Sequence, residues 1–313
     1  LAGSAANRPF SVLDAGWQFC GEANGAPWHL TNTRFPNMAT LARDMRAAGC
    51  RPGIWTRPLL TNESVPDEWL LPPRGIWPGR ILDPSLPEVL DRIRRDVSLF
   101  VEWGYDLVKH DFSTYDLFGK WGFEMVAEPI AGTWSFRDRS RTTAEIISAF
   151  YLALREAAGP ALLLGCNTIG HLGASLFEIQ RTGDDTSGRN WERTRRMGVN
   201  TLAFRMAQHD TFFAVDADCV GLTAAVPWEL NRQWLDLLAR SGTPLFVSAA
   251  PGSLGPEQKA ALRDAFAAAS SPREVAEPLD WLTTTCPEKW KIAGEVKTFN
   301  WNDQTGGSPF IMG

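Results

Sequence analysis

Short apolar runs alternate with longer amphipathic stretches along most of this chain, and this alternation limits the possible folds more than any other feature. The runs are rich in Leu, Val and Ile, and they have the length of strands that are buried on both faces. The longer stretches carry apolar residues three and four positions apart, as helices that cover a sheet do. This order is typical of a parallel sheet covered by helices. The chain is therefore predicted to be an α/β protein.

Seven strands and six helices are predicted from this pattern. The predicted strands are Pro9–Trp17, Arg51–Leu60, Asp106–Phe112, Pro160–Cys166, Leu176–Arg181, Thr211–Cys219 and Pro244–Val247. The predicted helices are Met38–Ala48, Pro87–Trp103, Thr142–Ala157, Trp191–Ala207, Trp228–Arg240 and Pro256–Ala269.

A (β/α)₈ barrel of the TIM type is the predicted architecture. Polar residues gather at the C-terminal ends of the predicted strands, where such barrels carry their active sites. These residues are Asp14, Trp55, Asp111, Cys166, Asp185 and Asp216. A doubly wound open sheet is the alternative, but it would usually have a glycine-rich loop after its first strand, and this chain has none. The eighth strand of the barrel is expected to precede Leu1.

The pattern changes after about residue 276, where short segments alternate like antiparallel strands. Residues 1–275 are therefore assigned to the barrel, and residues 276–313 to the beginning of a C-terminal β-domain. The predicted strands of that second part are Trp281–Thr285, Trp290–Ile292 and Glu295–Trp301.

Composition excludes several classes of function. The net charge is 31 − 36 = −5 and there is no basic run, which argues against a nucleic-acid or anionic-membrane partner. No apolar stretch approaches the length of a membrane span. The five cysteines are scattered and His is scarce, so neither a disulfide framework nor a metal site is predicted. The chain begins with Leu and shows no signal peptide, so we expect an internal piece of a longer protein, whose compartment is not predicted.

The 14 tryptophans and two long loops point to sugar binding. The flat apolar face of an indole suits the apolar patch of a sugar ring, although packing in the core is the more frequent role of any single Trp. The segments Asn62–Arg80 and Ser113–Thr142 are predicted to be loops, and the second carries Trp121 and Trp134. Long loops on the catalytic face of a barrel usually shape its substrate site.

Asp111 is the first candidate for chemistry. A carboxylate at the end of a buried strand is costly unless it is paired or functional. Lys109, two residues earlier, projects to the same side of the strand, and its charge would keep Asp111 ionised, as a nucleophile requires. A structural Lys–Asp pair is the equally weighted alternative. His110 is more often a structural residue than a sugar ligand in such a position.

Asp184 and Asp185 form the second candidate, with Arg181 upstream. One of them would be a proton donor, whose raised pKa would come from partial burial or a neighbouring carboxylate. A turn that caps the helix predicted at Trp191 is the alternative. Asp216 and Asp218 are expected to be structural residues at the end of the barrel, with substrate contact as the alternative. An ionised carboxylate and a protonated carboxyl on opposite sides of a sugar are what glycoside cleavage needs.

Five segments, in order along the chain, resemble the motifs of glycoside hydrolase family 36, the α-galactosidase or melibiase family, whose barrel is shared with family 27. The resemblance runs from about Phe10 to Trp301. Its segments are Pro52-Gly-Ile-Trp-Thr-Arg-Pro58, Lys109-His-Asp111, Leu164-Gly-Cys166, Arg181-Thr-Gly-Asp-Asp185 and Asp216-Ala-Asp-Cys219.

The resemblance implies an enzyme that hydrolyses the O-glycosyl bond of a terminal α-linked galactose, with retention and without a cofactor. Asp111 would be the nucleophile and Asp185 the acid/base, about 5–5.5 Å apart. An oligosaccharide or glycoside would be the substrate, and a homo-oligomer is compatible with the resemblance. The implied sugar-binding residues are Lys109 and Arg181, with Asp14, Trp17, Trp55 and Cys166 lining the pocket.

One departure from the family pattern bears on the sugar. The family usually has two consecutive acids where this chain has Asp14 and Ala15, and those acids hold the 4- and 6-hydroxyls of galactose. Ala15 therefore favours a galactose-like sugar altered at C6, such as a pentopyranose or a deoxy-sugar. A transglycosylase of the same fold and a degenerate carbohydrate-binding protein are the alternative functions.

Overall fold

The structure is a computed structural model that describes residues 8–19, 25–72, 80–120, 135–271 and 274–301. Several residues named above lie outside this part of the chain. They are Trp121, Trp134 and residues 302–313 of the predicted C-terminal β-domain. The described residues form two compact units, residues 8–180 and residues from 181 onward. The domain boundary predicted near residue 276 stays a prediction.

The described residues contain thirteen strands and eight α-helices. The strands are β1 Phe10–Leu13, β2 Arg51–Thr56, β3 Leu60–Thr61, β4 Arg80–Ile81, β5 Leu107–His110, β6 Leu162–Gly165, β7 Ile179–Arg181, β8 Ala214–Asp216, β9 Cys219–Leu222, β10 Phe246–Ala249, β11 Glu277–Pro278, β12 Lys289–Ile292 and β13 Glu295–Thr298. The helices are α1 Met38–Ala47, α2 Pro87–Glu102, α3 Ser113–Phe118, α4 Thr143–Ala158, α5 Trp191–Thr194, α6 Thr201–Arg205, α7 Trp228–Arg240 and α8 Pro256–Ala269.

A parallel sheet forms the centre of the N-terminal unit, with its strands in the order β1, β2, β5, β6 and β7. The register pairs Trp55 with Lys109. Gly53 allows β1 and β2 to approach, because a Cβ there would lie 2.9 Å from the Val12 side chain. The predicted α/β class with a parallel sheet is confirmed. The sheet also brings Trp55 and Asp111 to the same end of neighbouring strands.

The helices of the N-terminal unit form where the apolar period and the caps agree. In α2 the predicted face is buried, with Ile93, Val97 and Phe100 nearly inaccessible, and this helix packs against α4. The N-cap of α4 is Thr142, which forms a reciprocal capping box with Glu145. These local signals explain why both helices begin and end within one residue of their predicted bounds.

The C-terminal unit contains the parallel pair β9–β10, with α7 on β9 and α8 on α7. An antiparallel sheet follows, in the order β11–β12–β13. Gly188 and Gly221 are in close contact, and a Cβ on Gly188 would lie 2.0 Å from the Gly221 carbonyl oxygen. Among the described residues, no helix combines the length and the apolar character needed to cross a membrane.

The predictions for α7 and α8 are confirmed residue for residue. The helix predicted from Trp191 is instead divided into α5, a π-helix at Arg195–Asn200 and α6. The strand predicted at 211–219 is shorter: β8 covers only Ala214–Asp216, and β9 begins at Cys219 after Asp218, which takes a left-handed conformation with φ of 68°.

Two further predictions are wrong in part. Residues 281–285 form a turn rather than a strand, because the carboxylate of Asp280 accepts the backbone N–H groups of Glu288 and Lys289. The segment after Asp111 begins with helix α3 rather than a loop.

Candidate active site

Asp111 lies immediately after β5 and only 7% of its surface is exposed. Three N–H groups donate to its carboxylate. Trp55 Nε1 donates to Oδ2 at 3.1 Å, while the backbone N–H of Phe112 and Asn167 Nδ2 donate to Oδ1 at 2.6 and 2.7 Å. We call Asp111 and these three donor residues the Asp111 cluster. Hydrogen bonds from three directions fix the orientation of the carboxylate.

The Asp111 cluster favours the ionised carboxylate. Burial raises the pKa of Asp111, but the charge of Lys109 and the three hydrogen bonds outweigh burial and hold the pKa below its ordinary value of 3.8. The carboxylate is therefore charged at neutral pH although it is almost inaccessible to water. This is the state that an attacking carboxylate requires.

Lys109 contacts the carboxylate of Asp14. Its Nζ donates to Asp14 Oδ2 at 2.7 Å, and the Lys109 side chain is 14% exposed against 60% for Asp14. Lys109 thus pairs with Asp14, and its charge also lowers the pKa of Asp111. Asp14 is the more accessible partner, so the pair presents the Asp14 carboxylate to solvent next to the exposed Ala15.

Two of the predicted sugar-binding tryptophans are buried. Trp17 has no exposed surface, and its Nε1 donates to the carbonyl oxygen of Trp55 at 3.0 Å. Its indole packs against Trp28 and Phe100, so a core role replaces the predicted contact with substrate. Trp55 is 1% exposed and acts on the site through its hydrogen bond to Asp111.

Cys166 and His110 are structural neighbours of the cluster. Cys166 is buried at the end of β6, and its backbone N–H donates to the carbonyl oxygen of His110. The ring of His110 is fully buried against Phe177 and Tyr151, and burial lowers the pKa of His110 to about 4. His110 is therefore neutral at physiological pH and is not available as a sugar ligand.

Asn167 is a member of the Asp111 cluster that the sequence analysis did not identify. It lies one residue beyond the segment at 164–166 that carries the family resemblance, and it takes a left-handed conformation with φ of 51°. The available signal was an Asn directly after a buried strand. Its contact with Asp111 depends on the β5–β6 register, which local patterns do not reveal.

Arg181 and Asp185 are brought together as predicted. Arg181 is buried at the end of β7, and its Nη2 donates to Asp185 Oδ1 at 2.7 Å. Its Nη1 lies 2.9 Å from Asp218 Oδ1. Asp218 also accepts hydrogen bonds from the backbone N–H and the hydroxyl of Thr186. Asp218 holds the cation that contacts Asp185.

The segment from Arg181 to Thr186, which we call the Asp185 loop, is exposed to solvent at Asp184 and Asp185. The Asp185 side chain is 69% exposed, so the partial burial expected of a proton donor is not found. Asp184 Oδ1 accepts the N–H of Asp185, and its other oxygen pairs with Arg193, whose Nε donates to the Asp185 carbonyl oxygen. Helix α5 is capped by Asn190, so the alternative reading of the two acids as helix caps is wrong.

The described residues offer no group of three or more His, Cys, Asp or Glu side chains that could hold a metal ion. Asp111 is an ionised carboxylate held by three hydrogen bonds, and Asp185 is a solvent-accessible carboxyl beside a guanidinium.

No protein-family model matches the sequence. The fold is similar to that of an α-galactosidase from Thermus thermophilus in complex with p-nitrophenyl α-D-galactopyranoside, with a TM-score of 0.65 and 24% identity over 94% of this chain and 60% of that one. It is also similar to a family 27 β-L-arabinopyranosidase from Geobacillus stearothermophilus, with a TM-score of 0.63 and 14% identity over 87% of this chain and 71% of that one.

A third similar structure is a family 36 α-galactosidase from Geobacillus stearothermophilus bound to stachyose, with a TM-score of 0.56 and 13% identity over 83% of this chain and 37% of that one. The chain has the α/β fold of glycoside hydrolases in families 27 and 36. It spans about 60% of the length of the Thermus protein.

Proposed function

We propose that this chain is the catalytic part of a retaining exo-glycosidase that removes a terminal α-linked galactose or a galactose-like sugar. In this proposal residues 1–275 contribute to a (β/α)₈ barrel of the family 36 type, and residues 276–313 begin a C-terminal β-domain. The fold shared with α-galactosidases supports the class of reaction. The Asp111 cluster is the single observation that carries the mechanism.

Asp111 is the nucleophile in this mechanism. Its carboxylate attacks the anomeric carbon, the bond to the leaving oxygen breaks, and a glycosyl-enzyme forms. The three donors support this role because they keep the carboxylate ionised and restrict its rotation before substrate arrives. A water-exposed carboxylate would have to lose part of its hydration shell first, whereas the hydrogen bonds to Asp111 already replace that shell.

Asp185 is the acid/base. As a carboxyl it gives a proton to the leaving oxygen, and as a carboxylate it then takes a proton from the water that hydrolyses the glycosyl-enzyme. Its exposure supports proton exchange with solvent between the two steps. Arg181 orients it, and the Lys109–Asp14 pair offers donors and an acceptor to sugar hydroxyls.

The test is Asp111→Asn and Asp185→Asn in the full-length protein, assayed on nitrophenyl glycosides with and without azide. Loss of a measurable rate in both variants supports the two roles. A wild-type product that keeps the anomeric configuration of the substrate supports double displacement. Wild-type rates in either variant remove that residue from the mechanism. Product analysis with an added acceptor sugar distinguishes hydrolysis from transglycosylation, and sugar binding without turnover by the wild type identifies a degenerate binding protein.

A pentopyranoside is the second candidate substrate, and Ala15 favours it. Asp14 and Ala15 are both exposed, and Ala15 offers only a methyl group where a second carboxylate would contact the hydroxymethyl group at C6. A structural neighbour acts on β-L-arabinopyranosides, whose sugar lacks that group. A higher kcat/KM on nitrophenyl β-L-arabinopyranoside than on the α-galactoside supports this preference. A kcat/KM about tenfold higher on the α-galactoside would rule out this preference.

A further inference from the structure

We propose that Arg57 is a positioning residue that holds the hydrogen-bond donors of Asp111 in place. The inference rests on the proposed role of Asp111 as nucleophile. Arg57 does not contact the carboxylate of Asp111. It acts through two elements that supply the donors, the end of β2 and helix α3.

Arg57 is bound to α3 by a buried ion pair. Its Nε lies 3.1 and 3.0 Å from the two carboxylate oxygens of Asp116, and Nη2 donates to Oδ1 at 2.5 Å. Arg57 is 8% exposed and Asp116 is similarly buried. Bidentate pairing of this kind fixes the relative orientation of the two planar groups, which an ammonium group would not do.

The same guanidinium packs on the residue that begins α3. The Cζ of Arg57 lies 4.2 Å from the ring centroid of Phe112, within cation–π range. Phe112 has φ of 64° and ψ of 10°, a left-handed conformation that is unfavourable for a residue with a side chain. The backbone N–H of the same residue donates to Asp111 Oδ1. Packing by Arg57 therefore helps to hold a strained donor.

Helix α3 also holds the second donor to Asp111 Oδ1. The backbone N–H and the hydroxyl of Thr114 both donate to the carbonyl oxygen of Asn167, at 2.8 and 2.9 Å. Asn167 in turn donates to Asp111 from its side chain. A shift of α3 would thus move the Phe112 and Asn167 donors together.

The third donor is on the segment that carries Arg57 itself. Arg57 directly follows Thr56, whose carbonyl oxygen accepts the Asp111 N–H at 3.0 Å, and Trp55 donates to Asp111 Oδ2. One guanidinium consequently connects the strand that donates to Oδ2 with the helix that controls both donors to Oδ1. The charge of Arg57 also stabilises the Asp116 carboxylate. Without Arg57, that buried carboxylate would be unpaired and would be repelled by the negative charge of Asp111.

The experiment separates positioning from folding in the full-length protein. Asp111 is labelled with 2-deoxy-2-fluoro-glycosyl fluorides of the galactose and arabinopyranose series, and the rate of covalent attachment is followed by intact-protein mass spectrometry across pH. The variants are Arg57→Lys, which retains the charge beside Asp116, and Arg57→Met together with Asp116→Leu, which leaves no buried charge unpaired. Arg155→Lys is the control, since Nη1 of Arg155 donates to both carboxylate oxygens of Glu178, away from the Asp111 cluster.

Both Arg57 variants are expected to label Asp111 more slowly while remaining folded. The double variant should lose about 10²-fold in labelling rate and Arg57→Lys about tenfold, which is the scale for a small misplacement of reacting groups. The acid limb of the rate profile should move to higher pH, because looser donors favour the ionised Asp111 less. Affinity for the free sugar should change less than about threefold, and Arg155→Lys should label at the wild-type rate.

A wild-type labelling rate in either folded Arg57 variant overturns the inference. The inference also fails if Arg57→Lys labels slowly but the double variant labels at the wild-type rate, because that recovery would show a purely structural role. A wild-type protein that carries no label on Asp111 overturns the proposed function itself, and the role of Arg57 fails with it.

Discussion

Asp111 and Asp185 are both carboxyls that follow a buried strand, yet their surroundings differ in almost every physical respect. Asp111 is nearly inaccessible and is bound by three uncharged donors that approach from different elements. Asp185 is mostly exposed and is held by one guanidinium on its side chain and another on its backbone. A group that attacks carbon needs a fixed charge, whereas a group that exchanges protons needs access to water. The two surroundings match these two needs.

The largest expected effect concerns Gly188, two residues after the Asp185 loop. Gly188 has φ of 73°, and a Cβ there would lie 2.0 Å from the Gly221 carbonyl oxygen. Gly188→Ala should reduce the free energy of unfolding by about 4 kcal/mol, because backbone on both sides would have to move. The measurement is denaturant unfolding monitored by circular dichroism.

Gly49→Ala is the matched control for that variant. Gly49 has φ of 88° but nothing within 4 Å of its Cβ position, so it isolates the conformational cost of about 1–2 kcal/mol. Equal destabilisation by the two substitutions would mean that the contact between Gly188 and Gly221 does not restrain the loop.

The next effect concerns the buried side of the comparison. Burial lowers the pKa of His110 from 6.5 to about 4, so the unfolded chain binds a proton in this range that the folded chain excludes. Stability should therefore fall as pH decreases from about 6.5 to about 4, by up to about 3 kcal/mol from this group. His110→Phe should remove this contribution, since Phe cannot be protonated and fits the aromatic contacts with Tyr151 and Phe177.

The measurement is the difference in unfolding free energy between wild type and His110→Phe at pH 7 and at pH 5. Taking the difference cancels other groups, including Asp116, whose pKa is raised to about 6 by burial and which acts in the opposite direction. A difference that does not change with pH would show that His110 is not held neutral.

A smaller effect is expected when one donor to Asp111 is removed. Asn167→Ala deletes one hydrogen bond to an ionised group, a loss of about 2 kcal/mol. The rate on nitrophenyl glycosides should fall by about 30-fold, and the acid limb of kcat/KM should move to higher pH because Asp111 becomes less acidic. Thr168→Ala is the control, since Thr168 is the next residue and its hydroxyl bonds to Gln180 instead. An unshifted acid limb would separate Asn167 from the ionisation of Asp111.

The smallest effect tests the exposed side of the comparison. Arg193→Gln removes the donor to the Asp185 carbonyl oxygen and the partner of Asp184. If these contacts orient the acid/base, the rate should fall about tenfold for substrates with a poorly departing alkoxide and much less for nitrophenyl substrates, which need little proton donation. Arg232→Gln removes a long, exposed ion pair with Glu257 and should change neither rate. Equal losses on both substrate types would mean that Arg193 only supports the fold.

Sequence reasoning recovered the helices well and the strand ends less well, for a physical reason. Helix α8 has an apolar period, Pro at its start and local caps, so its bounds depend on neighbours within a few residues. The division of the predicted helix at Trp191 by a π-helix depends on contacts outside the helix. A Cβ on Gly183 would lie 2.0 Å from the Met197 carbonyl oxygen, so only Gly permits this packing.

The candidate site shows the same division between local and distant information. The sequence identified Asp111, Arg181 and Asp185 from their positions at strand ends and from the resemblance to family 36 motifs. The Arg181–Asp185 contact spans only four residues. Asn167 and the Arg57–Asp116 pair were missed, since their partners lie 56 and 59 residues away.

The sequence by itself determined an α/β chain with helices in nearly their observed places, and it marked the carboxyls at the strand ends. Those features follow from periodicity and from caps, which act over one or two turns of chain. Only the tertiary structure decided that Lys109 pairs with Asp14, that Trp17 is a core residue, and that Asp111 receives three donors. The register between parallel strands controls those contacts, and the register is a property of the assembled sheet.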